Sequence, residues 1–313
     1  MPWSADDISR MTGRVAVVTG GTSGVGLATV RELCRHRAHV IIGSRDATVA
    51  TRVKAQVEQE LPEASIEYQQ LDLASKASIS DFAVQVGARH AAIDVLFNNA
   101  GVLATPQSTT EDGFELQYGT NHLGHFYLTY RLLPLVLQKE HGRIANTTSS
   151  ARRLVRAGSV ADRHSRLRYD PWQAYAISKK ANLLFAIELN RRLVAAGATA
   201  RVSAADPGFA RTNMQATAPS RHRWLTRPLS KAIVQLIGHS PANAALPQLR
   251  ATTDADDAGG ILYRPRFFSS GPPVAKEVRL SDEDESELVD LWHDSERDLG
   301  ITFDVEAMVA ASR

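Results

Sequence analysis

Short β-branched runs alternate with longer stretches of helical period along most of this chain. Residues 14–19 read Arg-Val-Ala-Val-Val-Thr, the pattern of a strand buried on both faces. Comparable runs lie at 38–43, 65–70, 93–97, 142–148 and 200–205, and 259–263 suits a last, edge strand. Helical patterns follow them. Leu27, Val30 and Leu33 mark the first, and 47–60 is the second, closed by Pro62. Residues 75–89, one long stretch within 111–138 that Pro134 bends, and 171–196 continue the series. Residues 240–250 and an acidic amphipathic segment at 281–299 complete it. Strands alternating with helices predict an α/β fold. It is a single Rossmann-type, doubly wound parallel sheet of about seven strands, with helices on both faces. No linker or repeat interrupts residues 1–313, which read as one domain.

Three segments depart from the alternation. Residues 151–170 form a polar insertion holding Arg152, Arg153, Arg156, Arg163, Arg166 and Arg168. It is either a solvated loop or part of the mouth of a substrate site. Residues 213–238 look like a helical lid, with Trp224, Leu225, Ile233 and Ile237 as core or substrate lining. Residues 281–313 form a helical tail. The 171–196 helix is apolar on more than one side, so it must be covered on more than one side. That favours a homo-oligomer through the 111–138 and 171–196 helices, although the acidic tail could cover the same surface.

Composition narrows the partners. The 313 residues are 43% hydrophobic and 22% charged, with net charge +2, so bulk charge gives no reason to expect nucleic acid. One cysteine, Cys34, forms no internal disulfide, and no Cys/His spacing in the sequence suits a metal. Met1 to Arg10 carries Asp6 and Asp7 and no apolar run. No stretch of about 20 apolar residues occurs, so a cytoplasmic protein without a membrane span is expected.

The first strand runs into Gly20-Gly21-Thr22-Ser23-Gly24-Val25-Gly26 and then a helix. Glycines in that context permit a tight turn and let backbone N–H groups approach a pyrophosphate. The second strand ends at Ser44-Arg45-Asp46. An acidic residue at such a strand end bonds a ribose 2′-hydroxyl, whereas an arginine accommodates a 2′-phosphate. Ser44 and Arg45 therefore favour NADP(H) over NAD(H), with Asp46 as the first acid of the next helix. Asp72, followed by Leu73, could accept from an adenine amino group or belong to a helix start. Asn98, Ala100 and Gly101 suit a backbone wall against a flat cofactor. Pro207-Gly208 makes a rigid turn, and Thr212 could donate to the cofactor or cap a helix.

Proton-handling groups complete the set. Tyr175 and Lys179 are four apart on a helix and share a face. An ammonium near a phenol lowers its pKa, which lets a tyrosine exchange protons with an alcohol or carbonyl. An exposed helix surface could carry the same pair. Asn121 in mid-helix asks for a reason, and Ser150 ends the fifth strand, where such sheets bind ligands.

These motifs together resemble the short-chain dehydrogenase/reductase family, from about residue 14 to 263. They stand in the family's order: Thr19-Gly20-x3-Gly24-x-Gly26, Asp72, Asn98-Asn99-Ala100-Gly101, Asn121, Ser150, Tyr175-x3-Lys179, then Pro207-Gly208 with Thr212. The Ser150–Tyr175 gap and Asn-His-Leu-Gly-His-Phe at 121–126 look most like the retinol dehydrogenase-like and protochlorophyllide reductase-like branch. The resemblance implies an oxidoreductase for bulky carbonyls or alcohols. Tyr175 would be the acid/base, and Lys179 would lower its pKa and bind the nicotinamide ribose. Ser150, the second serine of its pair, would hold the substrate oxygen, and Asn121 would anchor a water. An NADPH-dependent reductase of carbon–carbon double bonds and a non-catalytic dinucleotide-binding regulator remain alternatives.

Overall fold

The structure, a computed structural model, describes residues 2–156, 159–208, 240–268 and 270–313. Eight strands form one sheet: β1 (Val15–Thr19), β2 (His39–Ser44), β3 (Ser65–Gln70), β4 (Val95–Asn98), β5 (Arg143–Thr147), β6 (Arg201–Ala205), β7 (Ile261–Phe267) and β8 (Ser270–Glu277). Their order is β3-β2-β1-β4-β5-β6-β7-β8. β3 through β7 pair parallel, and β8 pairs antiparallel to β7. The order turns back between β1 and β4. The carboxyl ends of those strands open there into the crevice where doubly wound sheets bind ligands.

The strands are continuous apolar runs because helices cover both faces. Val17, Ile41, Leu96 and Ile144 are fully buried on one side, and Ala16, Val18, Val40 and Ile42 on the other. The covering helices are α1 (Gly24–Arg35), α2 (Ala47–Glu60), α3 (Lys76–Arg89), α4 (Leu116–Tyr118), α5 (Gly124–Leu137) and α6 (Pro171–Ala195). α7 (Pro241–Thr253), α8 (Asp282–Leu299) and α9 (Val305–Ala311) follow. Among the described residues, no helix is long and apolar enough to cross a membrane.

Two expectations change, and the tail takes a position that the sequence left open. The strand at β7 is not an edge, because β8 pairs beyond it. Pro272 and Pro273 make β8 look like a loop in sequence, but an edge strand tolerates proline where no ladder N–H is needed. The stretch within 111–138 is helical only from Leu116, and a π-helical turn, Gly119–Leu123, interrupts it. Finally, the second apolar face of α6 is covered by this chain's own tail. Trp292 of α8 sits 5.1 Å from Phe126, 6.0 Å from Phe185 and 5.0 Å from Phe303, ring centre to ring centre. Lys180 pairs with Asp284 and Glu287 at 2.7 and 2.6 Å, and Arg191 with Glu285 at 2.6 Å. Acidic residues of the tail thus meet Lys180 and Arg191 of α6, the alternative covering that the sequence allowed.

Candidate active site

The glycine turn is shaped by backbone needs. Gly20 and Gly24 have φ of +68° and +53°, which side chains rarely adopt. A Cβ on Gly26 would lie 2.3 Å from Gly20 O, so α1 starts as close to β1 as a glycine allows. Thr19 closes the turn: its Oγ1 accepts from Asn99 N and Ala100 N, both at 2.9 Å. The result is a cavity of about 640 Å³ along the carboxyl ends of the strands. Gly20, Thr22, Ser23, Gly24, Val25 and Gly26 line one end, with Ser44, Arg45, Asp72 and Leu73 beside them. Ala100, Gly101, Ser149, Ser150, Tyr175, Lys179, Pro207 and Gly208 line the rest.

The donor set suits a dinucleotide. Gly24, Val25 and Gly26 at the start of α1 line the cavity, and the Ser23 side chain makes no capping bond there. Ser44 and exposed Arg45 stand at the end of β2, while Asp46 caps α2 by accepting from Val49 N at 3.0 Å. Asp72 Oδ1 accepts from Ala74 N at 2.9 Å and faces the cavity. Asn98 is not part of the lining. Its buried amide donates to Thr129 Oγ1 at 2.9 Å and Asn146 Oδ1 at 2.7 Å, under the sheet. Its neighbour Asn99 lines the cavity instead, because successive strand residues face opposite sides. Thr212 and the lid at 213–238 lie outside the described residues.

Asn121 occupies the π-helical turn and is fully buried. Its amide accepts from Val102 N at 2.7 Å and donates to Val102 O and Ser178 Oγ, both at 2.9 Å. It therefore clamps the segment after β4 to α6. Lys179 Nζ donates to Thr147 O at 3.2 Å and lies 5.8 Å from the Tyr175 ring centre. Asp170 starts the helix that carries them, accepting from Trp172 N at 2.9 Å, with Pro171 in the first turn.

The direction of the Tyr175 shift differs from the sequence expectation. Burial pushes Tyr175 up to about 12, with Ser149 working against the rise and Asp206 adding to it. Burial also brings Lys179 down to about 8, opposed by Asp206. Desolvation is the largest cause for both groups. Both Ser149 and Ser150 line the cavity with Tyr175. Ser150 Oγ donates to Asp206 Oδ2 at 2.6 Å, because Asp206 stands at the end of the neighbouring strand.

The arginine-rich insertion is less solvated than its composition implies. Arg152 is buried against Asp206 at 3.0 Å, Arg163 pairs with Asp294 of α8, and Arg156 pairs with Asp170 at 3.3 Å. Arg153, Arg166 and Arg168 are exposed. Away from the cavity, pairing of β2 with β3 gathers His39, Glu67 and His90, with ligand-type atoms within 4.8 Å of one another. Arg89 pairs with that carboxylate at 2.6 Å.

Known proteins are similar to this chain in sequence and fold. The profile of the short chain dehydrogenase family matches residues 14–223. The chain belongs to that family. It is an oxidoreductase on a Rossmann-like sheet. Polyprenol dehydrogenase of Mus musculus is 37% identical over 274 residues, 86% of this chain and 80% of the relative. Retinol dehydrogenase 14 of Mus musculus is 36% identical over 312 residues, 94% and 88%. A crystal structure from Mycobacterium paratuberculosis, of an uncharacterized protein, shares 35% identity with TM-score 0.76, covering 97% of this chain and 99% of that one. The branch expected from the sequence is the one these relatives represent.

Proposed function

We propose that this chain interconverts a bulky, apolar carbonyl compound and its alcohol with NADP(H), using Tyr175 as the acid/base. One observation supports it most: the glycine turn, Arg45, and the Tyr175–Lys179 pair line one continuous cavity. Arg45 and Ser44 at the end of β2 favour a 2′-phosphate. When bound, the nicotinamide supplies the hydride in reduction and receives it in oxidation. Tyr175 is protonated at neutral pH and donates its proton to the oxygen as charge develops there. Ser150, in the cavity lining at the end of β5, supplies the second hydroxyl beside that oxygen. Lys179 places a positive charge beside the cofactor ribose and the phenol, and Asn121 holds the Gly101–Val102 wall.

Substrate class follows from the outer lining. Leu103, Ala151, Leu154, Trp172 and Phe268 surround the cavity, and Leu154 and Trp172 are 58% and 50% exposed. Such an apolar rim suits a long hydrocarbon aldehyde or ketone, and relatives named for polyprenol and retinol agree with it. The test incubates purified chain and NADPH with farnesal, all-trans-retinal and aromatic ketones, and identifies the products. The expected product is the alcohol with its double bonds intact. A saturated aldehyde would instead indicate reduction of the carbon–carbon double bond, and no turnover of any carbonyl would refute the proposal.

A further inference from the structure

Three side chains from separate elements converge at the β3 edge of the sheet, and the reaction above makes no use of them. His39 opens β2, Glu67 lies in the edge strand β3, and His90 caps the carboxyl end of α3. Parallel pairing sets His39 beside Ser65, and strand alternation puts Ser65 and Glu67 on one face of β3. His90 is held in place by its own N–H, which donates to Val86 O at 2.9 Å. Both rings turn to one carboxylate oxygen: His90 Nε2 lies 3.0 Å from Glu67 Oε2, and His39 Nε2 lies 3.6 Å from it. The ring centres are 5.1 Å apart. His39 Nε2 is shielded from solvent and makes no hydrogen bond among the described residues. Its Nδ1 lies 2.7 Å from Ser65 Oγ, and donation to that hydroxyl leaves the ring's lone pair on Nε2.

We propose that His39, Glu67 and His90 form a binding site for a divalent transition cation of the Zn2+ class, which clips the edge of the sheet together. The ligand atoms lie within 4.8 Å of one another. Bonds of about 2.0–2.2 Å to nitrogen and oxygen place tetrahedral ligands about 3.4 Å apart. The spacings of 3.0 and 3.6 Å to Glu67 Oε2 bracket that value, and rotation of the His90 ring at its helix end closes the third. Two imidazoles and one carboxylate oxygen are the donor set of an open zinc site, with a fourth position for water. Mg2+ and Ca2+ prefer six or more oxygens, which this cluster does not offer. The surrounding contacts orient the ligands. Ser65 Oγ fixes the His39 ring, and Arg89 Nη2, 2.6 Å from Glu67 Oε1, leaves Oε2 to the cation. Arg89 is itself steadied by Gln69 Oε1 at 2.7 Å. One cation engages both ring nitrogens and the carboxylate at once, and gives His39 Nε2 the partner it otherwise lacks. It joins β2, β3 and the end of α3. Residues 39–44 of β2 span about 17 Å, so the cation sits at the far end of the strand from the cavity and acts on stability.

The experiment uses the full chain, purified without a histidine tag. It is titrated with ZnCl2 by calorimetry and with CoCl2 by visible absorption. The expected results are saturation at one equivalent of Zn2+ and the visible bands of four-coordinate Co2+. His39→Gln and His90→Gln should each weaken Zn2+ binding by at least about tenfold, and Ser65→Ala, which removes only the orienting hydroxyl, by about tenfold. Zn2+ at about a hundredfold excess over Kd should raise Tm by about 5–10 °C, and EDTA should reverse the rise. His141→Gln is the control: its ring is 71% exposed and lies outside the cluster, so binding should not change. A chain that does not saturate at one equivalent overturns the inference. So does binding that survives both His39→Gln and His90→Gln, or that His141→Gln weakens as much as they do. If one of the two histidine variants does not fold, the other decides alone. If neither folds, the Ser65→Ala shift and the Co2+ bands decide.

Discussion

A methyl group on Gly26 tests how the cofactor end of the cavity is built. An alanine Cβ there would lie 2.3 Å from Gly20 O and 2.6 Å from Asn99 Nδ2. Neither neighbour can retreat cheaply. Gly20 N is bonded to Gly43 O at 2.8 Å, and Asn99 Nδ2 donates to Thr19 O at 2.8 Å. The start of α1 must lift by about 1 Å to restore van der Waals distance. Overpacking of this kind costs about 1–3 kcal/mol, and losing the Asn99 bond adds about 1 kcal/mol. At roughly 2–4 °C per kcal/mol for a chain somewhat smaller than this one, Tm of Gly26→Ala should fall by about 5–10 °C. The backbone at Gly24–Gly26 that lines the cavity moves with α1, so NADPH affinity should fall at least tenfold. Thermal unfolding with and without NADPH, together with a fluorescence titration of NADPH, measures both. Gly87→Ala is the control, because its Cβ meets only Leu135 Cδ1, at 3.8 Å, on an exposed helix face. It should leave binding unchanged and stabilise by about 0.5–1 kcal/mol. A Gly26→Ala chain with wild-type Tm and NADPH affinity would refute the reasoning.

Other predictions follow from the same geometry. Arg45→Ala should weaken NADPH about tenfold or more, the loss of one charge-assisted contact, with NADH affinity unchanged in parallel titrations; equal losses would remove the NADP assignment. Ser150→Ala should lower kcat for carbonyl reduction by about 10²-fold and Ser149→Ala by much less, and the reverse order would give the role to Ser149. Stability should fall in acid. Burial lowers His122 to about 3 and His125 to about 4, so between pH 6.5 and those values the unfolded chain binds protons that the folded chain does not. By pH 4 each histidine costs roughly 3 kcal/mol, and urea midpoints measured from pH 7 to 4 should decline accordingly; a flat profile would contradict the burial of the two rings.

What the sequence made legible was local. The β1 run, the glycine turn and the α1 period are contiguous, so one short window specifies strand, turn and helix. The Tyr175–Lys179 spacing fixed a shared helix face in the same way. Features made by strand pairing were not legible. Asp206 reaches Ser150 only because β5 and β6 lie side by side, and Arg152 looks like one of several loop arginines until its buried partner is placed. Asn98 and Asn99 differ by one step of strand alternation, enough to swap which one faces the cavity. β8 was hidden by Pro272 and Pro273, whose conflict with a ladder vanishes at an edge. The covering of α6 by the tail was foreseeable only as an alternative, since an apolar face does not say what covers it. The direction of the Tyr175 shift also needed the structure, because the sequence shows neither the depth of the phenol nor the nearness of Asp206, and both raise it.

The central claim is that Tyr175 protonates the substrate oxygen during hydride transfer. The most direct measurement compares wild type with Tyr175→Phe for reduction of farnesal by NADPH in single turnover, alongside NADPH affinity. A positioned general acid contributes about 10²–10⁴-fold, and the phenyl ring retains the packing of the phenol. The account predicts a rate lower by about 10³-fold with NADPH binding within a few-fold of wild type. A Tyr175→Phe chain that reduces farnesal within tenfold of the wild-type rate would contradict it.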